Sequence, residues 1–324
     1  MHHFCTYFDH AYLPKGLIML TTLSRHCPDA FIHVLCLDDA CNSILNRLSL
    51  PYVRLYNLSE LEAADPQLAA CRQGRSMLEY YWTITPCLPT YIYNLDPYLD
   101  CLTYLDADLF FMNDPRILFD EAPGSSALLT PHRFPKHLRA KEAYGIYNVS
   151  WLSFANTSSG RACLAWYREK CLEWCCYKLE EERFADQKYL DYFAEKFPGV
   201  HVLRHIGAGL APWNVGQYRF NRAKDNEITV DDAPVIFYHA HAFWNVFWRI
   251  YDAGITPYSF PVNPVLLREI LAPYARILHD FSKKYGGDAK GLLRRGTNTG
   301  IFSSFRNMLK GLIKREFFWA GTST

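Results

Sequence analysis

The chain has 324 residues, of which 50% are hydrophobic and 16% aromatic, so it can bury a large core and is not a disordered or low-complexity protein. Its formal net charge is +1, which excludes the overall polycation character of proteins that bind nucleic acid without sequence preference. No apolar run reaches the ~18–20 residues that span a bilayer, and no secretory signal is visible. A cytoplasmic globular protein is expected.

The cysteines support the same compartment. There are 11 of them, an odd number scattered through apolar stretches, which is typical of reduced thiols. Cys171, Cys175 and Cys176 are close in sequence, but no second paired-cysteine half with zinc spacing follows. Buried, idle thiols are therefore favoured over a zinc site.

The first elements alternate between strand and helix. Strand-like segments at 4–8, 31–37 and 52–56 are separated by helix-like segments at 13–25 and 40–48. This order predicts a parallel sheet with right-handed crossovers, and such sheets bind ligands at the carboxyl ends of their strands. No Gly-x-Gly-x-x-Gly follows the first strand, which disfavours a dinucleotide-dependent dehydrogenase.

The remaining elements continue the α/β pattern. Residues 76–98 form an aromatic helical region that Pro86 and Pro89 are expected to interrupt. After the acidic strand at 101–111, the predicted elements are a strand at 147–156, helices at 160–177 and 186–197, and strands at 200–203 and 235–238.

The most informative motif is Asp106-Ala107-Asp108, which directly follows an apolar strand and precedes another apolar run. Alternation along an extended chain directs both carboxylates to the same side. Two like charges at that place need a cation, and Mg²⁺ or Mn²⁺ accepts such oxygen ligands while keeping positions for substrate phosphates.

The last segment has a different composition. Residues 283–316 hold nine basic and two acidic residues, and from Ile301 to Phe317 apolar residues recur every three or four positions. This pattern fits an interfacial membrane helix and also a C-terminal helix that packs on the core with a solvated basic face. We predict a catalytic domain at 1–282 and a basic, helical C-terminal extension at 283–324.

Taken together, several segments resemble GT-A-type, metal-dependent nucleotide-sugar glycosyltransferases, near the family-eight-like nucleotide-diphospho-sugar transferases. The resemblance implies a GT-A, Rossmann-like fold with a mixed, mainly parallel sheet flanked by helices. The matching segments are 4–8, 104–111, 145–156, 184–191, 211–214 and 237–243.

The resemblance implies a metal site and a nucleotide site. Asp106 and Asp108 would bind the metal, with Asp106 also near the donor ribose. His239 would complete the coordination, but His241 lies on the same face of a strand and competes for this role. The first strand would hold the nucleotide through Thr6, Tyr7 and Phe8.

Further residues are implied at the sugar. Asp186 and Gln187 would reach the donor sugar and the reaction centre, although a carboxylate at a helix start also serves as a cap. The predicted sugar contacts, each with a buried polar bond or core aromatic as its alternative, are Asn148, Trp213 and Asn214.

The chain departs from the family pattern after the histidines. There the family supplies a lysine to the diphosphate, whereas this chain continues with Ala242-Phe243-Trp244. Charge neutralisation would then rest more on the metal, with Arg249 or Lys188 as candidate helpers.

The implied reaction is transfer of a glycosyl group from a nucleoside diphosphate sugar, with a lean to a UDP-sugar, to a hydroxyl of a glycan or lipid-linked acceptor. Inversion would use Asp186 as a general base, whereas retention, towards which the resemblance leans, would use Asp186 and Gln187 to position the donor. The competing hypotheses are a catalytically idle sugar-nucleotide-binding scaffold and a metal-dependent phosphohydrolase, for which too few ligands are available.

If residues 301–319 bind anionic lipid, the protein would act peripherally at the inner membrane face, in polysaccharide or lipopolysaccharide synthesis.

Overall fold

The computed structural model describes residues 1–223, 226–258, 260–286 and 317–319. Its strands are β1 (His2–Phe8), β2 (Ala30–Cys36), β3 (Val53–Asn57), β4 (Cys101–Leu105), β5 (Leu109–Phe111), β6 (Ala127–Pro131), β7 (Tyr147–Ala155), β8 (Val200–Val202), β9 (Phe220–Arg222), β10 (Ile228–Val230), β11 (Ala233–Pro234), β12 (Phe237–His239), β13 (Trp244–Phe247), β14 (Ile250–Asp252) and β15 (Phe317–Trp319). Its α-helices are α1 (Leu13–His26), α2 (Asp39–Leu48), α3 (Leu58–Ala64), α4 (Pro66–Cys71), α5 (Met77–Leu95), α6 (Ile117–Asp120), α7 (Ser158–Glu173), α8 (Phe193–Lys196), α9 (Pro264–Leu266) and α10 (Ala272–Tyr285).

The chain divides into two compact units, each built from separate stretches of sequence. The first unit contains Met1–Asp9, Cys27–Ala107 and Pro115–His205. The second contains His10–His26, Asp108–Asp114 and the described part of Ile206–Thr324. The acidic tripeptide thus spans the point where the chain leaves the first unit and enters the second.

The first unit is organised around a seven-stranded sheet with the order β3-β2-β1-β4-β7-β6-β8. Strands β3, β2, β1 and β4 run parallel to one another, and β8 is parallel to β6. Strand β7 pairs antiparallel with both β4 and β6. The mixed, mainly parallel sheet flanked by helices that was predicted from the sequence is confirmed.

Helix α5 differs from the prediction, because it continues through Pro86 and Pro89 without a break. Its start is fixed by a capping box in which Ser76 and Glu79 exchange side-chain and backbone hydrogen bonds. Both prolines are buried in the first unit, as are their helix neighbours Thr85, Cys87 and Leu88. The burial of this face outweighs the missing backbone donors, so packing overrides the local helix-breaking tendency.

The predicted helix at 186–197 also takes a different form. Residues Gln187–Tyr192 form a 3₁₀ turn, which is followed by the short helix α8. Asp186 precedes that turn, but its side chain makes no cap hydrogen bond there. Its buried carboxylate is instead hydrogen-bonded to the backbone amide of Gln187, the first residue of the turn, so the structural alternative to a catalytic role stays open.

The second unit has its own core. Strand β5 pairs antiparallel with β12, which joins the end of the acidic motif to the histidine strand. Helix α1 packs against β5 and α10. The core consists of buried apolar side chains that include Ile18, Phe110, Tyr238, Tyr274 and Leu278.

The described end of the C-terminal segment is extended rather than helical. Residues Phe317–Trp319 form β15, which pairs antiparallel with β14. The ring of Phe318 lies 6.0 Å from that of Phe243 and is 8% exposed, so it belongs to the second core. The rest of the predicted amphipathic stretch, 301–316, lies outside the described residues. The separate extension at 283–324 therefore stays a prediction, and its proposed start falls within α10.

Among the described helices, none combines the length and the apolar character that a bilayer-spanning segment needs.

Candidate functional site

The acidic tripeptide is held by backbone hydrogen bonds at both ends. Within the first unit, the amide of Asp106 donates to the carbonyl of Ser150 in β7 at 3.1 Å. Within the second unit, the amide of Ala240 donates to the carbonyl of Asp108 at 2.9 Å. Asp106 is therefore anchored to a sheet strand within the first unit, and Asp108 to the residue that follows the histidine strand within the second.

Asp108 is a buried carboxylate of the second unit with several polar partners. It is 4% exposed, and Nε2 of His239 lies 3.0 Å from its Oδ1. The hydroxyl of Tyr12 donates to its Oδ2 at 3.2 Å, and Nζ of Lys15 lies 3.8 Å from the same oxygen. Each carboxylate oxygen thus faces its own positive or donor group.

These partners determine the ionisation of Asp108. Burial alone would raise its pKa, but the charges and hydrogen bonds of His239 and the charge of Lys15 outweigh burial and hold the pKa below its ordinary value. Burial lowers the pKa of Lys15, against the attraction of Asp108. Asp108 is therefore ionised at neutral pH and available as a cation ligand.

Three side chains come together as candidate metal ligands. One ligand atom each from Asp106, Asp108 and His239 lies within 4.8 Å of the other two. Two carboxylate oxygens and one imidazole nitrogen suit Mn²⁺, and the carboxylates suit Mg²⁺. The residues present therefore fit the divalent cation that the sequence predicts.

His241 does not belong to this three-residue group. Its ring lies 5.5 Å from the rings of both His239 and Trp213. Burial, followed by the neighbouring His239, lowers the pKa of His241 to about 4, so it is a neutral imidazole at physiological pH. It packs beside the candidate ligand, and a role for it as a ligand stays a prediction.

Trp213 and Asn214, predicted to contact the sugar, have clear structural roles. Trp213 is 4% exposed and packs perpendicular to the ring of His239 at 5.5 Å, which fixes the orientation of that imidazole. Asn214 is fully buried, accepts a hydrogen bond from the amide of Ala211 and donates one to the carbonyl of Gly209. Their sugar contacts stay predictions.

A second group of polar side chains surrounds Asp186 in the first unit. Asp186 is 4% exposed. Burial raises the pKa of its carboxyl to about 7, against a hydrogen bond with Thr85, and the negative charge of Asp106 adds to the rise. The preceding residue, Ala185, has φ +48°, a left-handed conformation that costs energy for a residue with a Cβ. The backbone is thus strained where it presents this carboxylate.

A chain of side-chain hydroxyl groups connects Asp106 with Asp186 in the first unit. The hydroxyl of Tyr104 donates to Oδ1 of Asp106 at 3.0 Å. Tyr104 is hydrogen-bonded to Tyr7, whose hydroxyl lies 3.0 Å from that of Thr85, and Thr85 is bonded to Asp186. The predicted nucleotide residue Tyr7 is therefore the middle of a chain from the candidate metal ligand to the candidate catalytic carboxylate.

Gln187 is positioned by the loop before β7. Its side-chain amide donates to the carbonyl of Tyr144 at 3.0 Å. A Cβ on Gly145 would lie 3.3 Å from Cγ of Gln187, and Gly145 has φ +127°, so glycine is needed there. Lys188, a candidate diphosphate helper, instead donates to the carbonyl of Ala143 at 2.8 Å and so holds the same loop.

The other predicted nucleotide and sugar residues lie in strands β1 and β7. Thr6 and Phe8 are buried in β1. Asn148, at the start of β7, accepts a hydrogen bond from the amide of Ser150 and lies 3.3 Å from Nε2 of His132. These positions are compatible with the predicted roles, and the roles themselves stay predictions.

Sequence reasoning missed Lys15, the buried cation beside Asp108. The available signal was a single charged side chain in the otherwise apolar start of helix α1, where every residue from Leu13 to Leu20 is buried. It also missed the role of Thr85, which no motif distinguishes from other threonines in a helix.

The architecture has known counterparts. An active-site mutant of LgtC superposes with a TM-score of 0.53 at 15% identity, covering 87% of this chain and 95% of that one. The galactosyltransferase LgtC in complex with donor and acceptor sugar analogs gives 0.49 at 16% identity, covering 82% and 99%. At these identities the likeness establishes the fold alone, and the chain is thereby a GT-A-fold protein with a DxD-like group of two aspartates and a histidine.

Sequence comparison identifies closer relatives. The chain is 32% identical over 244 residues to the uncharacterized protein YfnD of Bacillus subtilis strain 168, covering 74% of this chain and 78% of that protein. It is 33% identical over 244 residues to the uncharacterized protein YfnF of the same organism, covering 73% and 80%. The chain belongs to the family of these two proteins. No family model matches it.

Proposed function

We propose that the protein is a metal-dependent glycosyltransferase that transfers a hexosyl group from a UDP-sugar to a hydroxyl of a glycan or glycolipid. The observation that carries this proposal is the group formed by Asp106, Asp108 and His239, which follows a central strand of a GT-A sheet. A divalent cation bound there would stabilise the charge that develops on the leaving diphosphate.

The chain's own residues would do the remaining work. Asp106 would be held by Tyr104, and Asp108 by Tyr12 and Lys15, so the ligands need little rearrangement to accept a cation. Asp186 and Gln187 would hold the hydroxyls of the donor sugar. The low exposure of Asp186 and its bond with Thr85 support a positioning role, and hence retention, over attack on an acceptor proton.

The proposal is tested by titrating the protein with UDP in the presence and absence of Mn²⁺, followed by a screen for UDP release from common UDP-sugars. Manganese-dependent binding with sugar-dependent release is expected. Binding without release from any donor, with or without acceptors, would instead support the idle scaffold. The anomeric configuration of the product, measured by NMR before it equilibrates, decides between retention and inversion.

A row of four aromatic side chains, two of them exposed, supports a carbohydrate acceptor. Within the first unit, the ring of Trp82 lies 5.8 Å from that of Tyr177, which lies 5.7 Å from Phe184, which lies 4.9 Å from Tyr144. Tyr177 is 65% exposed and Tyr144 is 41% exposed. The row leads along the chain to Asp186, and exposed rings of this kind stack on sugar rings.

Replacing Tyr177 with alanine is expected to raise the KM for an oligosaccharide acceptor by roughly 3- to 10-fold, as loss of ~0.5–1.5 kcal/mol of stacking predicts. Affinity for the UDP-sugar should not change. Steady-state kinetics with varied acceptor measure the effect, and Tyr98→Ala, a residue that is 91% exposed away from the row, is the control. An unchanged acceptor KM would exclude this surface.

We also propose that residues 301–319 attach the protein to a membrane. The test must keep β15 intact, because its Phe318 belongs to the second core. Deleting residues 301–324 would uncover the core around Phe318, so a charge change is cleaner. Replacing Lys310, Lys314 and Arg315 with glutamate is expected to abolish sedimentation with vesicles that contain 30% anionic lipid, because each basic residue contributes ~1 kcal/mol. Equal sedimentation of the variant and the original protein would exclude an electrostatic membrane contact.

A further inference from the structure

Lys15 is a lysine buried in the second unit, where a charged side chain is costly unless it has a partner or a function. It is 2% exposed, and its Nζ lies 4.5 Å from the centre of the Tyr12 ring and 3.3 Å from the Tyr12 hydroxyl. Among the described residues, Asp108 is the one carboxylate within ion-pair distance, at 3.8 Å. A lysine kept in such a place without function would be replaced by an apolar residue at little cost.

The charges at the site change sign when a divalent cation binds. The two aspartate carboxylates and the Lys15 ammonium carry a formal charge of −1. A divalent cation held by Asp106, Asp108 and His239 would bring this to +1, and Asp108 would then be shared between the cation and Lys15. The ammonium would then face a like charge. An anion that contacts both cations would relieve this repulsion.

We propose that Lys15 binds the diphosphate of the donor together with the metal, and thereby makes metal and nucleotide bind as a pair. This inference depends on the proposed function. Lysine is a common phosphate-binding residue that acts as a point charge. Lys15 on helix α1 would thereby replace the diphosphate-binding lysine that the resembling family carries after its histidine and that this chain lacks. Lys188, the other candidate, instead donates a hydrogen bond to a loop of the first unit.

The role of Lys15 predicts two effects of opposite sign. In Lys15→Met, Mn²⁺ binding without nucleotide should tighten roughly 10-fold, because the repelling ammonium is gone. UDP binding at saturating Mn²⁺ should weaken at least 10-fold, because the diphosphate loses a partner. A purely structural lysine predicts that both affinities weaken together, since the ligands would be misplaced.

The experiment is isothermal titration of the full chain with Mn²⁺ alone, and with UDP or inorganic pyrophosphate at saturating Mn²⁺. Arg25→Met, an exposed residue at the end of the same helix, is the matched control and should behave as the original protein. Circular dichroism verifies folding, and Lys15→Gln replaces the methionine variant if that variant unfolds.

The outcomes separate this inference from the proposed function. If the original protein binds Mn²⁺ with UDP and Lys15→Met binds both equally well, the role of Lys15 is overturned while the proposed donor class stands. If the original protein binds Mn²⁺ with pyrophosphate but not with UDP, and the variant shows both opposite effects, the role of Lys15 stands while the donor class falls. If no diphosphate binds with Mn²⁺, both are overturned.

Discussion

Replacing Asp108 with asparagine is expected to abolish Mn²⁺-dependent UDP binding. The loss should exceed the ~10–100-fold that follows from removing a hydrogen-bonding partner of a metal ligand, because a charged ligand itself is removed. The free energy of unfolding should also fall by about 3–5 kcal/mol, because the ammonium of Lys15 stays buried without its counter-charge. Calorimetric titration and urea denaturation measure the two effects.

A double variant distinguishes lost function from lost folding. Asp108→Asn combined with Lys15→Met removes both charges of the buried pair, so much of the unfolding free energy should return. Metal-dependent UDP binding should not return. The control is Asp100→Asn, an exposed residue just before β4, which should change neither quantity. Full UDP binding by the folded double variant would show that Asp108 is not a metal ligand.

The second large effect is a pH-dependent stability that depends on Asp186. Its pKa is about 7 in the folded protein, against 3.8 for an ordinary aspartate. A raised folded-state pKa means that the fold favours the protonated carboxyl. The free energy of unfolding should therefore fall as pH rises from about 4 to about 7, by up to ~4 kcal/mol for this residue, and level off above that range.

Asp186→Asn should remove this contribution. Near pH 4 the variant and the original protein are expected to have equal free energies of unfolding, and at pH 8 the variant should be more stable. All samples contain EDTA, so that no divalent cation binds to Asp106. Sugar transfer should fall strongly at every pH, because the carboxylate is lost. Urea denaturation at a series of pH values measures the difference, with the exposed Glu195→Gln as control. A variant that is less stable at pH 8 would contradict the raised pKa.

The sequence was sufficient for the sheet and for the centre of the site. The alternation of strand-like and helix-like segments predicted the parallel strands. The resemblance predicted that Asp106, Asp108 and a histidine would lie together. Strand alternation could not separate His239 from His241, because it directs both to one face. The distinction lies in the pairing of β12 with β5, which brings His239 opposite Leu109, next to Asp108.

Other features depended on contacts between distant parts of the chain. Lys15 interrupts the apolar start of helix α1, but nothing in the sequence shows that Asp108 lies beside it. Pro86 and Pro89 are local helix breakers, and only the core around α5 keeps that helix continuous. The three-to-four-residue spacing of apolar side chains before Phe318 favours a helix, but backbone pairing with β14 gives Phe318 an extended conformation.

The scattered origin of the second unit has a consequence for biosynthesis. Helix α1 emerges early from the ribosome, yet α10, one of the two elements that pack on it, is made only near the end of translation. The nascent chain must therefore expose the α10-facing surface of this helix for most of translation, and chaperones bind such exposed apolar surface. Contacts between such distant segments also slow folding. A product that stops near His205 would contain β5 but lack α10, so the surface of α1 that packs on α10 would stay exposed and the product should aggregate.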